Sequence, residues 1–122
     1  ILDQTSAQVS GDLLLVDEYG ATVNEASEGA RCAALLGDHK WALLANHGVL
    51  VVGASIAQAY LRAATLEWRC RTAFEVASLG GGQALPDAVA ENLGDMIDGN
   101  GFPFLWEAMA RRVLRDAPSI LD

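Results

Sequence analysis

An α/β fold is predicted by three features of the sequence: two short, wholly apolar runs that meet at a turn, segments of helical periodicity before and after them, and enough apolar content to cover a sheet. The runs are Trp41 to Ala45 and Val49 to Val52, joined at Asn46-His47-Gly48. A sheet with one wet face would alternate apolar and polar residues, and neither run does. Helices on both sides, or a partner chain over the second, are therefore expected. The join reads as a hairpin turn, because Asn and Gly both tolerate positive φ. With 122 residues, 52% of them apolar, the chain has room for one domain and a sizeable core.

Taken in order, the chain opens with a short strand expected around Ile1 to Asp3, a polar link, and a stronger strand from Asp12 to Val16. Turn residues follow from Asp17 to Gly20. A helix starts at Asn24, a good N-cap, with Glu25 and Glu28 favoured at its positive end and Gly37 as its stop. Ala26, Ala30, Ala33 and Ala34 form a narrow stripe on it, which predicts close packing on the sheet. The hairpin comes next. The longest element then runs from Ala54 to about Leu79, capped by Ser55, with two apolar stripes. One holds Ile56, Ala59, Tyr60, Ala63, Leu66, Cys70, Phe74 and Ala77; the other holds Leu61, Trp68, Val76 and Leu79. A surface helix needs only one stripe, so the second predicts a partner or a further part of the domain. Gly80-Gly81-Gly82 ends this helix. Pro86 opens a short helix through about Ile97, Asp98-Gly99-Asn100-Gly101 reads as a turn, and Pro103 begins a last helix. Phe102, Trp106, Met109, Ala110 and Val113 mark one face of that helix. Its C-terminal end carries Arg111, Arg112 and Arg115, where cations compensate the helix dipole.

The formal net charge of −8, with eight Lys and Arg, argues against nucleic acid and anionic membrane as partners. The longest apolar runs are Gly-broken and too short to span a bilayer, and no signal-like segment opens the chain, so a cytoplasmic protein is expected. Cys32 and Cys70 fall on separate helices, which predicts reduced, buried thiols and neither a disulfide nor a zinc site. The chain begins at Ile1 in what already reads as structured sequence, which suggests an incomplete domain.

His47 is the leading candidate for chemistry, since an imidazole at a strand end is held where it can ligate a metal or move a proton. A histidine that only caps the turn is the competing reading. Tyr19 is a candidate acid, against a ring packed on the next helix. His39 sits between Asp38 and Lys40 and reads as exposed. Glu67 reads as helix support through Arg71, which also pairs with Glu75, with a buried ligand as the sharper alternative. The three glycines are no phosphate loop, because no strand precedes them and no Lys-Ser or Lys-Thr follows.

The segment LLANHGVLVVGASIAQAYLRAATLEWRC resembles the class II aldolase/adducin family, whose members carry an Asn-His-Gly hairpin, a Gly-Ser/Thr step and a long helix with a Leu-Glu pair. The resemblance covers nearly the whole chain as the C-terminal part of that domain. The ending, from Phe104-Leu105-Trp106 to Ser119, resembles the adducin-like branch. The resemblance implies a three-layer α/β/α sandwich with a largely antiparallel central sheet, assembled as a homo-oligomer, usually a tetramer. It also implies a divalent metal, zinc first, with iron or manganese as alternatives. Three histidines hold that metal in the family, and His47 matches the one in the hairpin.

The departures are equally specific. The chain has no His-x-His pair, no counterpart of the family's acid/base glutamate, and no tyrosine near Thr5. The other metal ligands are therefore expected outside this chain. The function implied is a metal-dependent lyase acting on a small hydroxy-carbonyl substrate, sugar or sugar-phosphate-like. The alternatives are a non-catalytic adducin-like interaction module, or a decarboxylase or iron-dependent oxygenase on the same scaffold.

Overall fold

A computed structural model of the chain describes residues 1–11, 13–17, 26–100 and 104–121. Strands β1 (Leu14–Val16), β2 (Trp41–Leu44) and β3 (Gly48–Val51) form one sheet in that order. The sheet is mixed: β1 runs parallel to β2, and β2 pairs antiparallel with β3. The α/β class is as predicted, whereas a largely antiparallel sheet is not what these strands form. A parallel β1–β2 pair needs a crossover, which α1 (Ala26–Leu36) lies within.

Two small cores lie on opposite faces of the sheet, as the alternation of side chains along a strand requires. Val16, Ala42 and Leu36 form one, with Leu14, Leu44 and Leu50 packed around them. Trp41, Val9 and Leu66 form the other, with Leu13, Val51 and Cys70. The apolar hairpin is thus covered at different points on each face by α1 and by α2 (Ile56–Ser78).

The alanine stripe does not pack as expected. Ala26, Ala30, Ala33 and Ala34 are all exposed, and α1 meets the sheet through Leu36 at its last turn. A methyl group reaches too short a distance to fill the gap, so an apolar cleft of about 350 Å³ remains between α1 and the sheet, lined by Gly29, Cys32, Leu36, Leu44 and Leu50. Gly37, at φ 51°, turns the chain out of the helix as predicted.

The first residues are the larger surprise. No strand forms at Ile1 to Asp3; a 3-10 turn occupies Thr5–Val9, and Ser6, Ala7, Gln8 and Val9 are buried. The apparently polar link is interior because most of its polar side-chain groups find partners, some nearby and some on α2, although the buried Gln8 Nε2 has none among the described residues. Asp3 Oδ1 accepts from the Ser6 N–H at 3.0 Å and from the Trp68 indole at 3.2 Å, and Thr65 Oγ1 donates to Gln8 Oε1 at 2.6 Å. The turn wedges between α2 and α3 (Asp87–Asn100), where Gly94 leaves room for it.

Ser55 caps α2 by accepting from the Gln58 N–H at 3.2 Å, with extended backbone at the cap. Ser55→Ala is expected to cost about 1 kcal/mol, read from the urea midpoint, because that donor loses its partner. The buried face of α2 holds Leu61, Arg62, Thr65 and Leu66, and so cuts across both predicted stripes. Ile56, Phe74 and Leu79 are exposed. Gly80 and Gly81 follow at φ 95° and 103°, a conformation that closes the helix and suits only glycine well.

Asp98 is not in a turn: α3 continues through Asn100. α4 (Leu105–Asp116) turns Trp106, Met109, Ala110 and Val113 toward Tyr60, and the Tyr60 and Trp106 rings meet edge to face at 5.5 Å. Arg111, Arg112 and Arg115 are exposed and pair with Glu107 and Asp116, in keeping with helix support. Phe102 and Pro103, with Asp12, Tyr19, Asn24 and Glu25, lie outside the described residues.

Candidate functional site

The hairpin that carries His47 is fixed at both ends. Trp41 pairs with Val51 and Leu44 with Gly48, which leaves Ala45-Asn46-His47 as a three-residue turn. Asn46 takes the left-handed conformation at φ 57°, where asparagine is among the few non-glycine residues found routinely. The His47 N–H donates to Leu44 O at 3.0 Å, closing the turn, and the Ala45 N–H donates to Val16 O at 3.0 Å, tying its tip to β1. His47 is exposed. The sheet thus presents an imidazole from a backbone held by two hydrogen bonds.

The base of the hairpin carries a buried ionic network that the sequence reading did not single out. The Val52 N–H donates to Lys40 O at 3.0 Å. Arg62, 6% exposed, donates through Nη1 to Val52 O at 2.6 Å, and through Nε and Nη2 to the two Asp98 oxygens at 2.7 and 2.6 Å. Lys40 adds a third contact to Asp98 at 3.1 Å. The guanidinium and the ammonium both lie within 6 Å of the Trp41 ring centroid, at 5.9 and 5.8 Å. Burial pushes the Asp98 carboxyl up, but the hydrogen bonds and charges of Arg62 and Lys40 outweigh it and hold that carboxyl below its ordinary value. One arginine therefore joins the end of β3, the first half of α2 and the end of α3. An arginine among apolar helical residues is the sequence signal for it, but its partner lies 36 residues away.

Glu67 is exposed and pairs with Arg71 at 3.0 Å, so it supports the helix and is no buried ligand. His39 is exposed, its Nδ1 3.0 Å from Leu36 O at the end of α1. Cys32 and Cys70 are free thiols but only half-buried, less covered than predicted, because Cys32 lines the cleft under α1 and Cys70 sits at the edge of the Trp41 core. Tyr19 lies outside the described residues. Among the described residues no three His, Cys, Asp or Glu side chains cluster as a metal site would need. His47 suits a divalent metal as a nitrogen donor, but a site requires further donors from outside the described residues. No helix among them is long and apolar enough to cross a membrane.

The hairpin, the glycine step and the capped long helix agree with comparisons to known proteins. The model of the class II aldolase and adducin N-terminal domain matches residues 1–74. The chain belongs to the class II aldolase/adducin family. It is 32% identical over 127 aligned residues to a Pseudomonas aeruginosa protein provisionally named an aldolase class 2 protein, covering 96% of this chain and 48% of the relative. A Caulobacter vibrioides protein with the same provisional name is also 32% identical, covering 99% of this chain and 49% of the relative. The crystal structure of an aldolase II superfamily protein from Pseudomonas syringae superposes with a TM-score of 0.73 at 27% identity, over 95% of this chain and 48% of that one. The chain spans about half the length of these relatives.

Proposed function

We propose that this chain supplies one metal ligand, His47, to a metal-dependent lyase of the class II aldolase type, acting on a small hydroxy-carbonyl compound of the sugar or sugar-phosphate kind. The observation that carries the reading is the Asn-His-Gly turn, with its exposed imidazole at the end of a clamped hairpin, in a chain of this family. Zinc is the proposed metal, with iron or manganese as alternatives. When bound, such a metal supplies Lewis acidity toward a substrate oxygen. The chain's own contribution is to hold the backbone that carries His47: the Val16 carbonyl fixes the turn from one side, and Arg62 fixes the base of the hairpin from the other.

In this reading residues 1–122 are the C-terminal part of one α/β/α sandwich domain, in a cytoplasmic homo-oligomer, with a tetramer as the family precedent. The exposed Trp68, Phe74 and Leu79 on α2 support an assembled state. The same exposed side chains support the second reading, a non-catalytic adducin-like interaction module. A decarboxylase or iron-dependent oxygenase is the third, and iron in the purified protein would favour it.

Elemental analysis of the full-length gene product tests the first reading. Stoichiometric divalent metal is expected in the wild type, with a large loss in His47→Ala at unchanged helix content. Equal metal in both proteins, or metal in neither, would overturn it. Aldol cleavage of any small hydroxy-carbonyl compound would sink the second reading.

A further inference from the structure

Asp98 lies beyond residue 74, where the family match ends, yet it reaches back to both legs of the hairpin that carries His47. On the leg leading in, its Oδ2 accepts from Lys40 Nζ at 3.1 Å, one residue before β2. On the leg leading out it acts through Arg62, which donates to the carbonyl of Val52, one residue after β3, at 2.6 Å. The Asp98 backbone holds a third point. Its carbonyl accepts from Gln58 Nε2 at 3.3 Å, and Gln58 Oε1 accepts from the Ala54 N–H at 2.8 Å. The chain between these contacts has little slack, since a Cβ on Gly53 would come within 2.7 Å of the Ala59 backbone nitrogen. α3 is itself anchored apart from the hairpin: Gly94 lies against Ala7 and Ser10, and the Leu85 N–H ahead of the helix donates to Ile1 O at 2.8 Å.

We infer that Asp98 is a positioning residue for His47: α3, a segment outside the matched part of the family domain, sets where the imidazole stands by fixing both legs of its hairpin through Lys40 and Arg62. The inference rests on the reading of His47 as a metal ligand and adds the residue that places it. One carboxylate matters at that distance because the hairpin is a lever. A four-residue strand puts the turn roughly 14 Å from the clamp. A tilt of about 5° at the base then carries the turn by roughly 1 Å, several times the tolerance of about 0.2 Å in a metal–ligand distance. Holding is also separable from stabilising. Arg62→Met with Asp98→Leu replaces the ionic pair by an apolar one and is expected to recover stability, but it offers no donor to Val52 O and no acceptor to Lys40.

Zinc titration of the full-length gene product against a competing chelator tests this, with amide exchange of the metal-free protein beside it. In Arg62→Met with Asp98→Leu, zinc affinity is expected to fall by about 10- to 100-fold although the denaturant midpoint is close to wild type. The Ala45 and His47 amides, bonded to Val16 O and Leu44 O, are expected to exchange about tenfold faster there, while those of α4 keep wild-type rates. Wild-type affinity with wild-type exchange at both amides would overturn the proposal. Asp98→Glu covers the case in which the double variant folds poorly. It keeps the charge pair and hence the fold, but stands its carboxylate one methylene farther from α3. Lower zinc affinity is expected, with displaced amide resonances at residues 45–47. Wild-type values for both would show that Asp98 only neutralises Arg62, and the proposal would fall. Zinc retained in His47→Ala would sink the lyase reading alone, because the amide measurements are made without metal and still decide what holds the hairpin.

Discussion

Asp98→Ala is expected to destabilise the protein by about 3–5 kcal/mol, with the denaturant midpoint as the measurement. The substitution leaves Arg62 buried with a single carbonyl partner, Val52 O, where it now has a bidentate carboxylate as well. An uncompensated buried charge is far more costly than a lost surface pair, and Arg62 and Asp98 are both about nine-tenths covered at their side chains. Two smaller effects oppose the loss. Alanine is the better helix former, and a carboxylate near the C-terminal end of α3 faces an unfavourable dipole; each is worth less than about 1 kcal/mol. The charge therefore decides the sign. Since domains of this kind are stable by roughly 5–15 kcal/mol, the variant lies near the edge of folding. Removing both charges, as in Arg62→Met with Asp98→Leu, is expected to recover much of the loss, because the apolar pair no longer has to be desolvated.

The same pair gives an acid limb to the stability curve. The folded-state Asp98 carboxyl lies below its ordinary value, so its contribution is fully present above about pH 4 and is lost as the pH falls through that value toward the folded one. Asp3 shifts in the same direction: burial opposes, but hydrogen bonds from Ser6, Trp68 and Thr5 prevail. Thermal midpoints between pH 6 and pH 3 are expected to fall for the wild type, with a shallower fall in Asp98→Asn. A parallel fall in both proteins would show that the pair does not carry the limb.

The elements legible in the sequence were those marked by local chemistry. Asn46 and Gly48 announced the turn, Ser55 the start of α2, and Gly37 and Gly80 the ends of two helices, because each acts on its own few residues of backbone. His47 was visible for the same reason. What the sequence concealed depends on distant partners. Thr5–Val9 reads as a polar link until Asp3 and Thr65 are seen to pair with Ser6 and with Gln8 Oε1, which leaves only Gln8 Nε2 as a buried side-chain group without a partner among the described residues. Asp98-Gly99-Asn100 has the composition of a turn, yet it is helical; Arg62 and Lys40 hold the Asp98 side chain and Gln58 its carbonyl, at 3.3 Å. Here tertiary contacts override weak helix formers. The parallel pairing of β1 with β2 was equally hidden, since a three-residue strand carries no mark of its neighbour's direction. The candidate site shows the same division: its histidine could be read, and the arginine that steadies the hairpin beneath it could not.

The apolar stripe on α2 makes that division measurable, because Leu66 and Phe74 have equal standing at helical spacing and opposite places in the fold. Leu66 is fully buried between Val9 and Trp41, whereas Phe74 is 74% exposed beyond the reach of the sheet. Leu66→Ala is expected to cost about 2–5 kcal/mol, the transfer of a buried side chain plus the cavity it leaves in a core too small to collapse around it. Phe74→Ala in the monomer is expected to fall within about 0.5 kcal/mol of the wild type, as surface changes do. Denaturant titrations of both variants, read beside their oligomeric state, test the contrast. Loss of the hairpin's support at Trp41 also predicts that Leu66→Ala loosens the turn that presents His47, seen as faster amide exchange at residues 41–51 than in Phe74→Ala. A large cost for Phe74→Ala at concentrations where the protein is assembled, absent where it is dissociated, would place that ring in a contact between molecules, and the exposed end of its stripe would then have its partner.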